Sequence, residues 1–120
     1  MFINFSNHPS EGWDDNQKEA AMKWNEIVDV PFPTVKPDAD ETEIASVAKD
    51  LVDVILSYKP DVVMCQGEFT LCFAVVKLLK ERGILTVAAC TERKVREIMD
   101  SDGTCKKESV FRFERFREYL

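Results

Sequence analysis

Three short polar clusters hold the side chains best suited to chemistry: Ser6-Asn7-His8, Gln66-Gly67-Glu68 and Thr91-Glu92-Arg93. His8 is the chain's single histidine, and imidazole is the side chain whose ordinary pKa lies near neutrality, which suits general acid–base work. Next to Pro9 it equally fits a plain loop residue. Ser6 and Asn7 either contact a ligand or tie down free backbone groups at a turn. Gly67 allows close approach of a ligand to the backbone, or a sharp turn. Glu68 either caps a helix, holds a sugar hydroxyl or polarises a nucleophile. Arg93 is the candidate phosphate clamp, because guanidinium grips an oxyanion with two parallel N–H groups. Its alternative is pairing with Glu92 or Glu68.

The clusters lie far apart along the chain, so only a fold can unite them. Each follows an apolar run. Met1–Phe5 reads as a strand buried on both faces, and Asp61–Cys65 and Ile84–Cys90 read likewise, the last breaking at Thr91-Glu92-Arg93. Glu26–Val30 supplies one more strand before the proline-rich "PFPTVKP", which forces an extended loop. Between the strands lie three helical patterns. The first runs from Trp13 or Asp14 to Asn25, with acidic residues in its first turn. The second has capping-box-like spacing at Asp40 and Glu43, and Ile44, Val47, Ala48, Leu51, Val52 and Ile55 recur on one face. The third starts near Thr70, stops at Gly83 and is apolar almost all round, which predicts the most buried helix. From Lys94 the helical period fails, and β-branched and aromatic residues flank Asp100-Ser101-Asp102-Gly103 as in a β-hairpin.

Strand–helix alternation closed by a hairpin predicts a single α/β domain over residues 1–120. Its form is a Rossmann-like three-layer sandwich: a four-stranded, mostly parallel sheet of order 2-1-3-4, extended by a C-terminal β-hairpin. In such a sheet the switch point lies between the first and third strands, and a crevice opens above their carboxyl ends. All three polar clusters then converge on one edge.

Composition narrows the function classes. With 45% hydrophobic and 32% charged residues the chain has the balance of a globular protein, and no apolar run reaches the ~20 residues of a membrane span. The amino terminus has no signal-peptide pattern, so the expected location is cytoplasmic. The net charge of −6 argues against a protein that coats long nucleic acids. The charge is uneven: residues 1–68 hold 5 Lys/Arg against 14 Asp/Glu, and residues 69–120 hold 11 against 8. Cys65, Cys72, Cys90 and Cys105 form no CxxC pair, which favours buried reduced thiols over a metal site. There is no GxGxxG for a dinucleotide, and no GxxxxGK[ST], GxSxG or HExxH. No cofactor is expected. The terminal "VFRFERFREYL" alternates Phe111, Phe113 and Phe116 with Arg112, Arg115 and Arg117. That pattern fits core packing with outward arginines, or an aromatic-basic edge for nucleotides or a second subunit.

The set "NFSNHPS", "QGEFTL", "TER" and terminal "FRFERFREY" resembles the small single-domain CRISPR-associated proteins of Rossmann-like fold, relatives of the CARF sensors and ring nucleases of type III CRISPR systems. The resemblance spans the chain in length and element order. It implies a homodimer whose two crevices bind a cyclic oligoadenylate second messenger and sense, sequester or cleave it, cleavage being metal-independent attack by a ribose 2′-hydroxyl. Carried over, Ser6, Asn7 and His8 line the first-strand edge, Gln66, Gly67 and Glu68 hold adenosine and ribose, and Thr91, Arg93 and Arg115 meet phosphate. His8 or Glu68 would assist proton transfer. Two other classes stay open: an enzyme acting on a simple nucleotide or nucleoside, and a non-enzymatic adaptor that binds protein through the Phe/Arg segment.

Overall fold

Two strands with no polar surface to spare set the architecture. The computed structural model describes residues 1–120, and in it β1 (Phe2–Ser6) and β3 (Val62–Cys65) are buried at every position. They occupy the centre of one five-stranded sheet of order β2-β1-β3-β4-β5. β2 (Ile27–Pro31) pairs parallel with β1, β1 with β3, and β3 with β4 (Leu85–Met99), while β5 (Cys105–Glu118) runs antiparallel to β4. Phe2 stands opposite Ile27 on one side and Val62 on the other.

The period of two along β1 divides the core. Ile3 and Phe5 join Val63 and Cys65 against α2 (Glu41–Ser57) and α3 (Phe69–Glu81). Phe2, Val62, Met64 and Val87 instead face Ala21 of α1 (Asp15–Met22), with Trp13 and Phe116. Helices therefore cover both faces. Full burial of Phe2, Ile3 and Phe5 contributes roughly 1.5–3 kcal/mol per side chain.

Caps fix where the helices begin. Asp40 accepts from the Glu43 amide at 2.9 Å, as its spacing predicts, and Asp14 accepts from the Gln17 amide at 2.8 Å. Gly83, at φ +74°, follows α3 in the left-handed conformation glycine suits. α3 buries Leu71, Cys72, Val75, Val76 and Leu79, yet Phe69 and Phe73 lie on its outer face, 91% and 73% exposed. α3 is thus the most buried of the three helices, as expected, although it is sunk in the core on one side only.

The hairpin also departs from expectation. Thr91-Glu92-Arg93 does not end β4: the strand passes through a β-bulge at Cys90/Thr91 and continues to Met99. The hairpin is thus made of β4 itself and β5, and adds one strand to the sheet rather than two. At the bulge Cys90 pairs with Arg115 and Thr91 with Phe113, so Glu114 is the extra residue. Beyond it the two strands form a ribbon that leaves the body, turning at Asp100–Thr104 with Gly103 at φ +85°. The molecule measures 56 × 38 × 24 Å, and its radius of gyration of 17.2 Å exceeds the ~14 Å of a compact domain of this length. No helix is long and apolar enough to cross a membrane.

Candidate functional site

A cavity of about 590 Å³ opens on the α1 face of the sheet, at the carboxyl ends of β1 and β3 and beside the bulge of β4. Each of the three polar clusters sends one residue into its lining: His8, Gln66 and Thr91. Trp13, Asp14 and Gln17 close one side, with Met64 and Ala89 below and Phe111 and Phe113 opposite.

The loop after β1 is held from beneath. Asn4, 1% exposed, donates through Nδ2 to the His8 carbonyl at 2.8 Å and to Asp29 Oδ1 at 3.0 Å. Its Oδ1 accepts from Ser6 Oγ at 2.6 Å, and Ser6 Oγ accepts from the His8 amide at 3.1 Å. Trp13 Nε1 also donates to the His8 carbonyl, at 3.1 Å. The backbone of His8 is pinned, and the residue itself is exposed where it lines the cavity. Ser6 is therefore a buried strut and not a ligand contact, and Asn7 is exposed outside the lining.

Gln66 crosses the top of the sheet, where its Oε1 accepts from the Ala89 amide at 2.7 Å. That bond commits the carbonyl oxygen and leaves the NH₂ to face a ligand. A Cβ on Gly67 would lie 2.6 Å from the ring carbons of Phe32, so this glycine serves close packing of its loop on an aromatic side chain. Glu68 is the N-cap of α3, accepting from the Thr70 and Leu71 amides at 3.0 and 2.8 Å and from the Thr70 hydroxyl. The Leu71 bond, then those to Thr70, hold its carboxyl below the usual range. A carboxylate stabilised in this way, outside the cavity lining, is poorly placed to take a proton, and the capping alternative accounts for it.

A lowered folded-state pKa adds stability above the ordinary carboxylate range, and that stability is lost as pH falls through it. Glu68→Ala should thus melt below wild type at neutral pH, with the gap closing as the pH falls through and beneath the ordinary glutamate range, where the cap protonates. Melting curves across pH check this; a gap independent of pH would rule out the charged cap.

The two arginines part company. Arg93 pairs with Phe111 in register and so shares the cavity's sheet face, but its Nε and Nη2 donate to Ser109 Oγ at 3.1 and 2.8 Å, beyond the lining. Arg115 pairs with Cys90, one position past the inward Ala89–Phe116 pair, and therefore lies on the opposite face. It cannot serve this cavity within the same chain. The lining contains no Lys or Arg, and its one carboxylate is engaged: Asp14 accepts from the Gln17 amide through Oδ1 and from the Phe113 amide through Oδ2 at 3.1 Å.

Sequence reasoning missed Trp13 and Gln17 as site residues. Trp13 packs edge-on against Phe2 at 6.1 Å, and Phe116 lies 4.9 Å from Phe2 and 4.8 Å from Phe113, giving the cavity an aromatic wall. The signal for Phe111 and Phe113 was their alternation with arginine. An aromatic, amide-edged hollow with no basic residue in its lining suits a flat heteroaromatic ring, with any anionic portion directed outward toward Arg93.

Known proteins add one finding. No curated protein matches the chain. A family model matches residues 1–117, and it is described as Uncharacterized protein MJ1673 family. With nearly the whole chain inside that match, the protein belongs to the MJ1673 family.

Proposed function

We propose that the protein binds a cyclic oligoadenylate, seating an adenine in the cavity of each chain of a homodimer of Rossmann-like, CARF-related subunits. The observation that carries this reading is the meeting of His8, Gln66 and Thr91 with Trp13, Phe111 and Phe113 around one cavity of about 590 Å³. Aromatic walls stack on a base, and the Gln66 amide and Thr91 hydroxyl offer hydrogen bonds to its edge. Phosphates face outward, where Arg93 stands on the same sheet face and a two-fold axis supplies a second copy. Recognition is favoured over turnover. With Glu68 committed to its cap, His8 is left as the group for proton transfer to or from a ribose hydroxyl.

Titration calorimetry and thermal shift with cyclic tetra- and hexa-adenylate test the reading, with AMP as the comparison. Binding of a cyclic ligand with a rise in melting temperature is expected. Phe111→Ala, at a side chain 65% exposed, should weaken it by roughly 5- to 100-fold through lost stacking, with stability unchanged. His8→Ala should abolish any product seen by chromatography. No response to any ring size well above micromolar concentration would remove the proposal, and a response to AMP alone would favour a simple-nucleotide enzyme.

The ribbon supports one other reading, that of an adaptor, because Val95, Met99 and Phe111 are exposed on one of its faces. A protein partner retained after joint replacement of His8 and Gln66 would favour it.

A further inference from the structure

Cys65 ends β3 and Cys72 lies in the first turns of α3, and the loop Gln66-Gly67-Glu68 between those two elements supplies the cavity's Gln66. The folded chain brings the two sulfurs to 3.5 Å, with both residues buried, Cys65 completely and Cys72 at 8% exposure. Nothing in the spacing of the cysteines announced this contact. We propose that Cys65 and Cys72 form a dithiol that hydroperoxides oxidise to a disulfide, and that closure displaces the Gln66–Glu68 loop and with it the cavity's Gln66. The inference does not depend on which ligand the cavity takes.

The surroundings assign the two sulfurs different parts. Cys72 follows the Glu68 cap in the first turns of a helix, where the dipole favours a thiolate. The hydrogen bond from Cys65 lowers the Cys72 pKa to about 7, whereas the same bond, with burial, raises that of Cys65. Tyr119 backs the pair: its hydroxyl donates to the Cys65 carbonyl at 2.7 Å and lies 3.8 Å from Cys72 Sγ. Cys72 is therefore the attacking sulfur and Cys65 the resolving one.

In the first step the Cys72 thiolate attacks one oxygen of hydrogen peroxide. The O–O bond breaks, sulfur keeps a hydroxyl as sulfenic acid, and hydroxide leaves to take up a proton as water. In the second step Cys65 sulfur attacks Cys72 sulfur, the S–O bond breaks, and the departing hydroxide leaves with the Cys65 proton as a second water. Two thiols and one peroxide become one disulfide and two waters. A bonded pair sits at about 2.05 Å, so the sulfurs must close from 3.5 Å, and whatever side-chain rotation does not take up draws the start of α3 toward β3. The intervening loop has little slack, since Gly67 already touches Phe32 and Gln66 is tied to the Ala89 amide.

The test uses the full reduced chain treated with hydrogen peroxide, then denatured, alkylated, digested and weighed. The peptide holding Cys65 and Cys72 should be two hydrogens lighter and carry no alkyl group, and the Ala89 amide resonance should shift in the oxidised folded protein. In Cys65→Ser, dimedone should label Cys72. Full alkylation of both cysteines after peroxide treatment would overturn the proposal, and the wild-type map decides this even if a serine variant fails to fold. A disulfide with an unmoved Ala89 resonance would overturn the coupling to the cavity.

Discussion

Replacing Asn4 with leucine should destabilise the protein by about 2–3 kcal/mol, because it removes three hydrogen bonds that each contribute roughly 0.5–1.5 kcal/mol. Leucine keeps the branching of asparagine without its polar atoms, and its bulkier methyl groups can only add to the loss at a site 1% exposed. What is lost is the junction where the Ser6 hydroxyl, the His8 carbonyl and Asp29 meet at one amide. Asp29 also accepts from the Ser10 amide at 3.1 Å and from the Ser10 hydroxyl at 3.2 Å, so the effect spreads through the whole loop carrying His8. Denaturant unfolding measures the loss. Asn4→Asp makes the prediction sharper: it sets a buried carboxylate against Asp29, which raises the new group's folded pKa. Its deficit relative to wild type should grow as pH rises from acid to neutral. A leucine variant as stable as wild type would show that the network is ornamental.

Gly67→Ala should cost about 1–3 kcal/mol by overpacking. The new methyl would meet the Phe32 ring at 2.6 Å, and that ring is 5% exposed and lies 4.8 Å from the Phe5 ring at an interplanar angle of 31°. It cannot swing aside without opening the core. The backbone at Gly67 is not in the left-handed region, so the penalty is steric alone. A double-mutant cycle checks this, because Phe32→Leu removes the obstacle and should make the two changes less than additive. Strict additivity would place the role of Gly67 elsewhere.

β1 and β3 were legible in the sequence because buried strands leave an unbroken apolar run, the strand order because strand–helix alternation commonly adopts it, and α2 because its face repeats at the helical spacing behind Asp40. The site was legible in outline. The polar tips after β1 and β3 and the polar cluster at the bulge within β4 do share one cavity through His8, Gln66 and Thr91. Glu68 was ambiguous for a physical reason, since a carboxylate just ahead of a helix reads the same whether it faces amides or a ligand. Thr91-Glu92-Arg93 misled because polarity ordinarily ends a core strand. In a ribbon with water on its faces, charged residues pair across strands instead, as Arg96 does with Glu108 at 3.2 Å. The Cys65–Cys72 contact was invisible because it depends on the angle at which α3 leaves β3.

The freedom of that ribbon lies in its length. β3 pairs with β4 only from Leu85 to Val87, and the cavity takes no residue of the ribbon beyond Phe111, so nothing in the body measures how far β4 and β5 travel together past that point. Trimming two residues from each strand would keep every remaining side chain on its present face, whereas trimming one would turn all those beyond the cut over. The limb can therefore lengthen or shorten in even steps over evolution while the cavity at its root keeps its shape.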